Sequence, residues 1–206
     1  MRADLESRLR YLEDREAIRD CLARYSRGVD RLDRELIVSA YHPDAIDDHG
    51  KFIGSPAELA DWVTGMHTSA HIAHQHALLQ QSCEIDGATA HAETYFMFVG
   101  VNRAGPPISI SGGRYIDRLE RRETGWRILR RLCIRDWALV DHRLDPADLS
   151  SFTATSHLLS AEVRRFMNAG PAPRRDRSDP SYQRPLDVPS DRLDRWSALQ
   201  PAQEPH

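Results

Sequence analysis

The sequence predicts an α+β fold: a strongly curved antiparallel sheet, rolled into a cone-shaped barrel, packed against three or so N-terminal helices. Three observations predict it. Apolar residues recur at helical spacing over roughly the first third of the 206-residue chain. From His71 onward the period changes to two. Turn residues at Asp86-Gly87 and Thr124-Gly125 then join neighbouring strand candidates into hairpins. Helices followed by a meander imply a layer structure in which one sheet face is buried against the helices.

Residues 4–29 read as one amphipathic helix, with Leu5, Leu9, Leu12, Ile18, Leu22 and Tyr25 on a stripe and charges between them; Gly28 could loosen its end. A short helix over about 33–41 is stopped by Pro43. Residues 45–54 contain the turn Asp47-Asp48-His49-Gly50 and suggest a small hairpin, its acidic turn solvated. A third helix starts at Ser55-Pro56-Ala57-Glu58, which combines an N-cap serine, proline at the first helical position and a capping-box glutamate, and should run to about Met66.

Four strands follow, at about 73–85, 88–101, 107–121 and 125–137. In the second, Ala90, Ala92, Thr94, Phe96 and Phe98 share a face. In the fourth, strict alternation puts Leu129, Arg131, Cys133, Arg135 and Trp137 on one face, and Trp126, Ile128, Arg130, Leu132 and Ile134 on the other. Gly112-Gly113 inside the third marks a bulge or bend, and long strands of this kind twist and coil. The domain should occupy 1–145. Residues 146–206 form an extension, with a helix at Thr155–Met167 and then a proline-rich, charged, extended or disordered tail.

Bulk properties narrow the function. The net charge of −3 argues against a bulk electrostatic role on nucleic acid or membrane, and no apolar run approaches a bilayer span. The three cysteines, Cys21, Cys83 and Cys133, match no zinc spacing and fit a reduced, cytoplasmic setting as small buried residues. Lys51 is the only lysine, so a Schiff base, including one with a pyridoxal cofactor, could use no other side-chain amine. Its place in the turn-like His49-Gly50-Lys51 argues against that chemistry. His71, His74 and His76 invite a metal reading, but only His74 and His76 share a strand face, and no metal site is assigned. Arg121-Arg122 and Arg130-Arg131 read as a solvated strand face.

The residues that carry chemistry are Tyr25, Asp30 and His76. A carboxylate holding an imidazole makes a general base that works near neutral pH. The competing reading is a core histidine and a helix-end carboxylate. Tyr25, near Asp30 on the first helix, could donate to an oxygen that gains negative charge, or serve as an ordinary core tyrosine.

The chain resembles the SnoaL-like branch of the nuclear transport factor 2-like superfamily. The resemblance rests on Asp14-Arg15-Glu16-Ala17-Ile18, Tyr25 through Asp30, Phe52-Ile53-Gly54, Gln75-His76, Glu84-Ile85-Asp86-Gly87, Ala92-Glu93-Thr94-Tyr95, Gly113-Arg114-Tyr115 and Gly125-Trp126-Arg127-Ile128, and covers about residues 10–140. Within that branch it is similar to the scytalone dehydratase, lindane dehydrochlorinase and bile acid 7α-dehydratase group. The resemblance implies an Asp–His dyad at Asp30 and His76, a tyrosine at Tyr25, and an arginine at Arg131, with Arg130 the neighbour that strand parity must exclude. The second aspartate of the bile acid enzyme has no counterpart, since strand 88–101 offers only Glu93.

The expectation is a cofactor-independent lyase that removes water or another small leaving group from a hydrophobic small molecule. Tyr95, Phe96, Phe98, Tyr115 and Trp137 would line its pocket. An isomerase or cyclase using the same base, or a non-catalytic binding or subunit-interaction module, are the alternatives. A homo-oligomer, dimer or trimer, is expected, because the related enzymes are dimers or trimers and one wide sheet face otherwise stays exposed.

Overall fold

The computed structural model describes residues 2–140, 143–144, 160–171, 178 and 180–199. Helix α1 (Arg2–Arg31) buries Ile18, Cys21, Leu22, Tyr25 and Val29, whereas Leu5, Leu9 and Leu12 at its start are exposed. The helical stripe is therefore a core face only in its second half. Gly28 does not loosen the helix. A Cβ there would lie 2.8 Å from the backbone nitrogen of Ile37, so its role is to let helix α2 (Arg34–Ser39) approach closely. Asp33 caps α2 by accepting from the Leu36 amide at 2.9 Å.

Strand β1 (Tyr41–Asp48) and strand β2 (Ile53–Gly54) form the expected hairpin. Helix α3 (Pro56–Ala70) opens with the full capping box: Glu58 accepts from the Ser55 amide at 2.8 Å while Ser55 accepts from the Glu58 amide. Four long strands follow: β3 (His71–Asp86), β4 (Thr89–Asn102), β5 (Ile108–Arg122) and β6 (Gly125–Val140). A short β7 (Arg143–Leu144) pairs with β6.

The strand order is β2-β1-β6-β5-β4-β3, so the sheet is curved but open, with edges at β2 and β3, not a closed barrel. One pair departs from the antiparallel expectation, because β1 runs parallel to β6. The chain between them passes through α3 and three strands, and no hairpin dictates their relative direction.

Two irregularities in the β5–β6 ladder shape the interior. Gly112 and Gly113 pair with Trp137 and Arg135, leaving Asp136 as an extra residue; a Cβ on Gly113 would lie 2.0 Å from the Ile134 carbonyl oxygen. Farther along, Arg118 pairs with Arg130 and Leu119 with Ile128, leaving Leu129 extra. This second bulge overturns the strict alternation read from the sequence. Trp126 and Ile128 enter the main core before it, and Arg131 turns inward after it. Leu132 and Ile134 point to the opposite face, where they pack with Ile116 and with Leu186 from the C-terminal extension.

The extension differs from the extended or disordered tail expected. The start of the helix read from Thr155 lies outside the described residues; helix α4 spans Ala161–Asn168 and helix α5 spans Ser190–Ser197. Phe166 and Val188 pack on Ile53, and Arg192 pairs with the buried carboxylate of Asp48. These contacts fix the extension against the β1–β2 hairpin.

Candidate active site

The end of α1 and the first half of β3 meet through polar contacts. Ser26 Oγ donates to the His76 carbonyl at 3.3 Å, and both Asp30 carboxylate oxygens accept from the His76 backbone amide at 3.0 Å. The same carboxylate lies 2.7 Å from His76 Nδ1. Asp30 therefore holds the strand and the ring together. An ionised carboxylate can only accept, which puts the proton on Nδ1 and leaves Nε2 as the basic nitrogen. The side chains of His76 and Asp30 are only 9% and 11% exposed. Burial lowers the His76 pKa below the usual histidine value, and the pairing with Asp30 opposes that shift without cancelling it. At neutral pH the ring is an uncharged base.

His76 lines a cavity of about 60 Å³, which it shares with Tyr25, Phe96, Phe98 and Tyr115. Tyr25 and Tyr115 are almost fully buried, and Phe96 stacks on Tyr115 with ring centroids 4.5 Å apart. Burial pushes the Tyr25 phenol up to about 12, so it stays protonated and can donate.

Three expected site residues lie elsewhere. Arg131 points inward but sits behind the cavity wall, its guanidinium 4.3 Å from the Tyr25 ring centre and 4.2 Å from that of Tyr115. It makes a bidentate pair with Asp117 at 2.7 and 2.9 Å and is fully buried, so it supports the two tyrosines and does not line the cavity. This also corrects its reading as a solvated arginine. Tyr95 is 41% exposed, because strand alternation directs it away from Phe96. Trp137 lies over Gly112, displaced by the bulge at Asp136, and is not among the cavity-lining residues.

The sequence reading also missed residues. Asp47-Asp48-His49 is not a solvated turn. Asp47 and Asp48 are buried; Asp47 accepts from the Tyr41 hydroxyl at 2.6 Å and pairs with His49 Nδ1 at 2.9 Å. Burial opposes the charged form of His49, but Cys133, then Tyr25, then the Asp47 carboxylate beside it carry its pKa well above the usual value. Lys51 is buried in the cavity wall, together with Trp62, His67, His71, Cys133 and Arg135. His67 stacks on His74 at 4.0 Å, and its Nδ1 is 3.1 Å from His71 Nδ1. His74 Nε2 donates to the Val29 carbonyl at 3.0 Å. Among the described residues no group of three or more potential metal ligands converges. Arg135 and Cys133 had a signal in the sequence, since they continue the alternation from Arg131. His49 had none, and Lys51 stood out only as the sole lysine, because distant segments cover both.

Comparison with known proteins gives a consistent family. The family described as SnoaL-like domain matches residues 10–132. Among solved structures, a hexachlorocyclohexane dehydrochlorinase (LinA type 2) aligns with 19% identity over 63% of this chain and 90% of its own, at a TM-score of 0.59. A candidate scytalone dehydratase from Novosphingobium aromaticivorans aligns with 14% identity over 66% and 92%, at 0.58. A nuclear transport factor 2-like superfamily protein from Salmonella enterica aligns with 19% identity over 55% and 84%, at 0.51. At these identities the likeness establishes the fold. No curated protein matches the chain.

Proposed function

The chain belongs to the SnoaL-like domain family, and on that premise we propose that it is a cofactor-independent lyase of the dehydratase or dehydrohalogenase type, acting on a hydrophobic small molecule. The observation that carries this reading is the 2.7 Å contact between Asp30 and His76 Nδ1, with the His76 ring in the wall of a largely apolar cavity.

His76 Nε2 takes a proton from a carbon adjacent to a carbonyl. The C–H electron pair becomes the new double bond, and the leaving group departs from the neighbouring carbon. Asp30 stabilises the imidazolium that forms and holds its orientation. Tyr25 donates to the carbonyl oxygen as negative charge develops there. His49 supplies the complementary acid. Two imidazoles in one cavity whose surroundings push their pKa values apart divide the roles of base and acid between them. His49 would protonate a departing hydroxyl, and a departing halide would need no such proton.

The test is a panel of small apolar carbonyl compounds with a leaving group β to the carbonyl, incubated in D2O and followed by NMR. The expected result is deuterium exchange at the α-carbon together with loss of water or halide. His76→Ala should lose both by about 10²–10⁴-fold while keeping the native circular dichroism spectrum. Full activity in that variant would refute the base assignment. Exchange with unchanged product mass would identify an isomerase working through the same base.

A further inference from the structure

The only lysine of the chain lies in the wall of this cavity, 7% exposed, on the loop between β1 and β2. We propose that Lys51 is an amine nucleophile that captures an aldehyde or ketone as a Schiff base.

The loop is built to hold this side chain in one place. The Lys51 amide donates to the His49 carbonyl at 2.8 Å, and the His49 amide donates to the Phe52 carbonyl at 2.8 Å. Gly50 takes a positive φ of 75° that completes the turn. Asp48 accepts from the Gly50 amide at 3.0 Å and is itself gripped by Arg192 of α5. Next in sequence, Phe52 stacks on Trp62 at 5.2 Å. The backbone is thus fixed from both sides, and the lysine is buried where it lines the cavity.

Reactivity follows from those surroundings. Burial, and then the nearby cationic Arg135, which lines the same cavity, lower the Lys51 pKa well below that of a free lysine. A lysine desolvated beside another cation carries a larger share of its nucleophilic, uncharged form than a free lysine does. Its nitrogen lone pair attacks the carbonyl carbon, a C–N bond forms, and the C=O π pair moves to oxygen. One ammonium proton passes to that oxygen to give a carbinolamine. Loss of the hydroxyl with the second nitrogen proton, as water, leaves the C=N bond. Atoms and charge balance with no oxidant, reductant or co-reactant. Phe96, Phe98 and Trp62 line the same cavity, so the carbonyl compound chosen as the probe is an aromatic one. Capture by Lys51 does not depend on the Asp30–His76 reading.

The 206-residue chain is incubated with benzaldehyde and sodium cyanoborohydride at pH 7, and peptides are mapped by mass spectrometry. The expected result is a single benzyl group on Lys51, installed at least about 10-fold faster than on the same chain unfolded in guanidinium, because each unit of lowered pKa yields tenfold more free amine. Lys51→Met should take no label outside the amino terminus, and Arg122→Ala, an exposed position away from the cavity, should label as fast as the native chain. Labelling of Lys51 no faster than in the unfolded chain, or labelling of the amino terminus alone, would overturn the proposal. The two readings have separate readouts: the benzyl label reports Lys51, and loss of α-proton exchange in His76→Ala reports the base assignment.

Discussion

At the scale of single residues, Asp30 has the most to explain. One carboxylate accepts from both the backbone and the ring of His76, so it fixes a strand edge and a base together. Asp30→Asn keeps the shape and removes the charge. The variant should lower the His76 pKa further, since Asp30 is the group that raises it. It should cost about 1–3 kcal/mol of stability, typical of a charged hydrogen-bond acceptor lost inside a protein. The His76 ring-proton titration by NMR and a urea melt read the two effects; an unchanged ring titration would mean that the contact carries no electrostatic coupling. His49 and His76 together predict the pH profile. Loss of water needs His76 uncharged and His49 charged. The acid limb of kcat/KM should therefore fall below the usual histidine value of ~6.5 and the alkaline limb above it, giving a plateau across neutral pH. His49→Gln should remove the alkaline limb and slow loss of water more than it slows α-proton exchange.

At the scale of elements, the C-terminal helix decides where the cavity wall stands. Arg192 on α5 pairs with Asp48 in a buried site, with side chains 7% and 1% exposed. Removing one partner of such a pair strands a charge and typically costs about 3–5 kcal/mol. Arg192→Met should therefore lower the midpoint of chemical denaturation by an amount of that order. It should also loosen the Lys51 loop, read as faster hydrogen exchange at Gly50 and Lys51. A variant with native stability and native exchange would show that α5 does not hold the loop. This coupling also explains which parts of the molecule were legible in sequence. The four long strands and the capping box at Ser55 were readable, because period and cap chemistry are properties of neighbouring residues; the pairing of Asp30 with His76, 46 positions apart, rested on the family resemblance. The place of Arg131 behind the cavity wall and the outward displacement of Trp137 were not readable. Each follows a bulge, and a bulge exists only in the pairing of β6 with β5. His49 and Lys51 were hidden for a similar reason: a hairpin turn reads as solvated until a helix some 140 positions away closes over it.

At the scale of the whole molecule, two properties follow from where charge and apolar surface are placed. The outer face of the sheet carries Tyr95, Met97, Val101 and Ile108, each between 36% and 49% exposed. Val101 and Ile108 are paired across β4 and β5, and Tyr95 and Met97 continue the same face along β4. Such a patch is commonly covered by a second copy, and light scattering is expected to report a dimer or trimer that Met97→Glu dissociates. A native monomer at micromolar concentration would exclude that role for the face. The second property is acid lability. His67, His71 and His76 all have folded-state pKa values lowered by burial, that of His71 to about 4. The unfolded chain binds protons on these rings near pH 6.5, while the folded chain does not until lower pH. Stability is therefore fully present above the unfolded value and is lost as pH falls toward the folded ones, by up to ~1.4 kcal/mol per pH unit for each ring. His49 works in the opposite direction: its raised pKa stabilises the fold below pH 6.5 and that contribution fades as pH rises through the folded value. Three rings outweigh one in the acid range, so the melting temperature should drop steeply between pH 6.5 and pH 4. His71→Phe should flatten part of that slope by removing one of the three proton sites. A melting temperature that stays level across this range would mean that the rings take up protons without opening the cavity, and the burial argument for an uncharged His76 would fail with it.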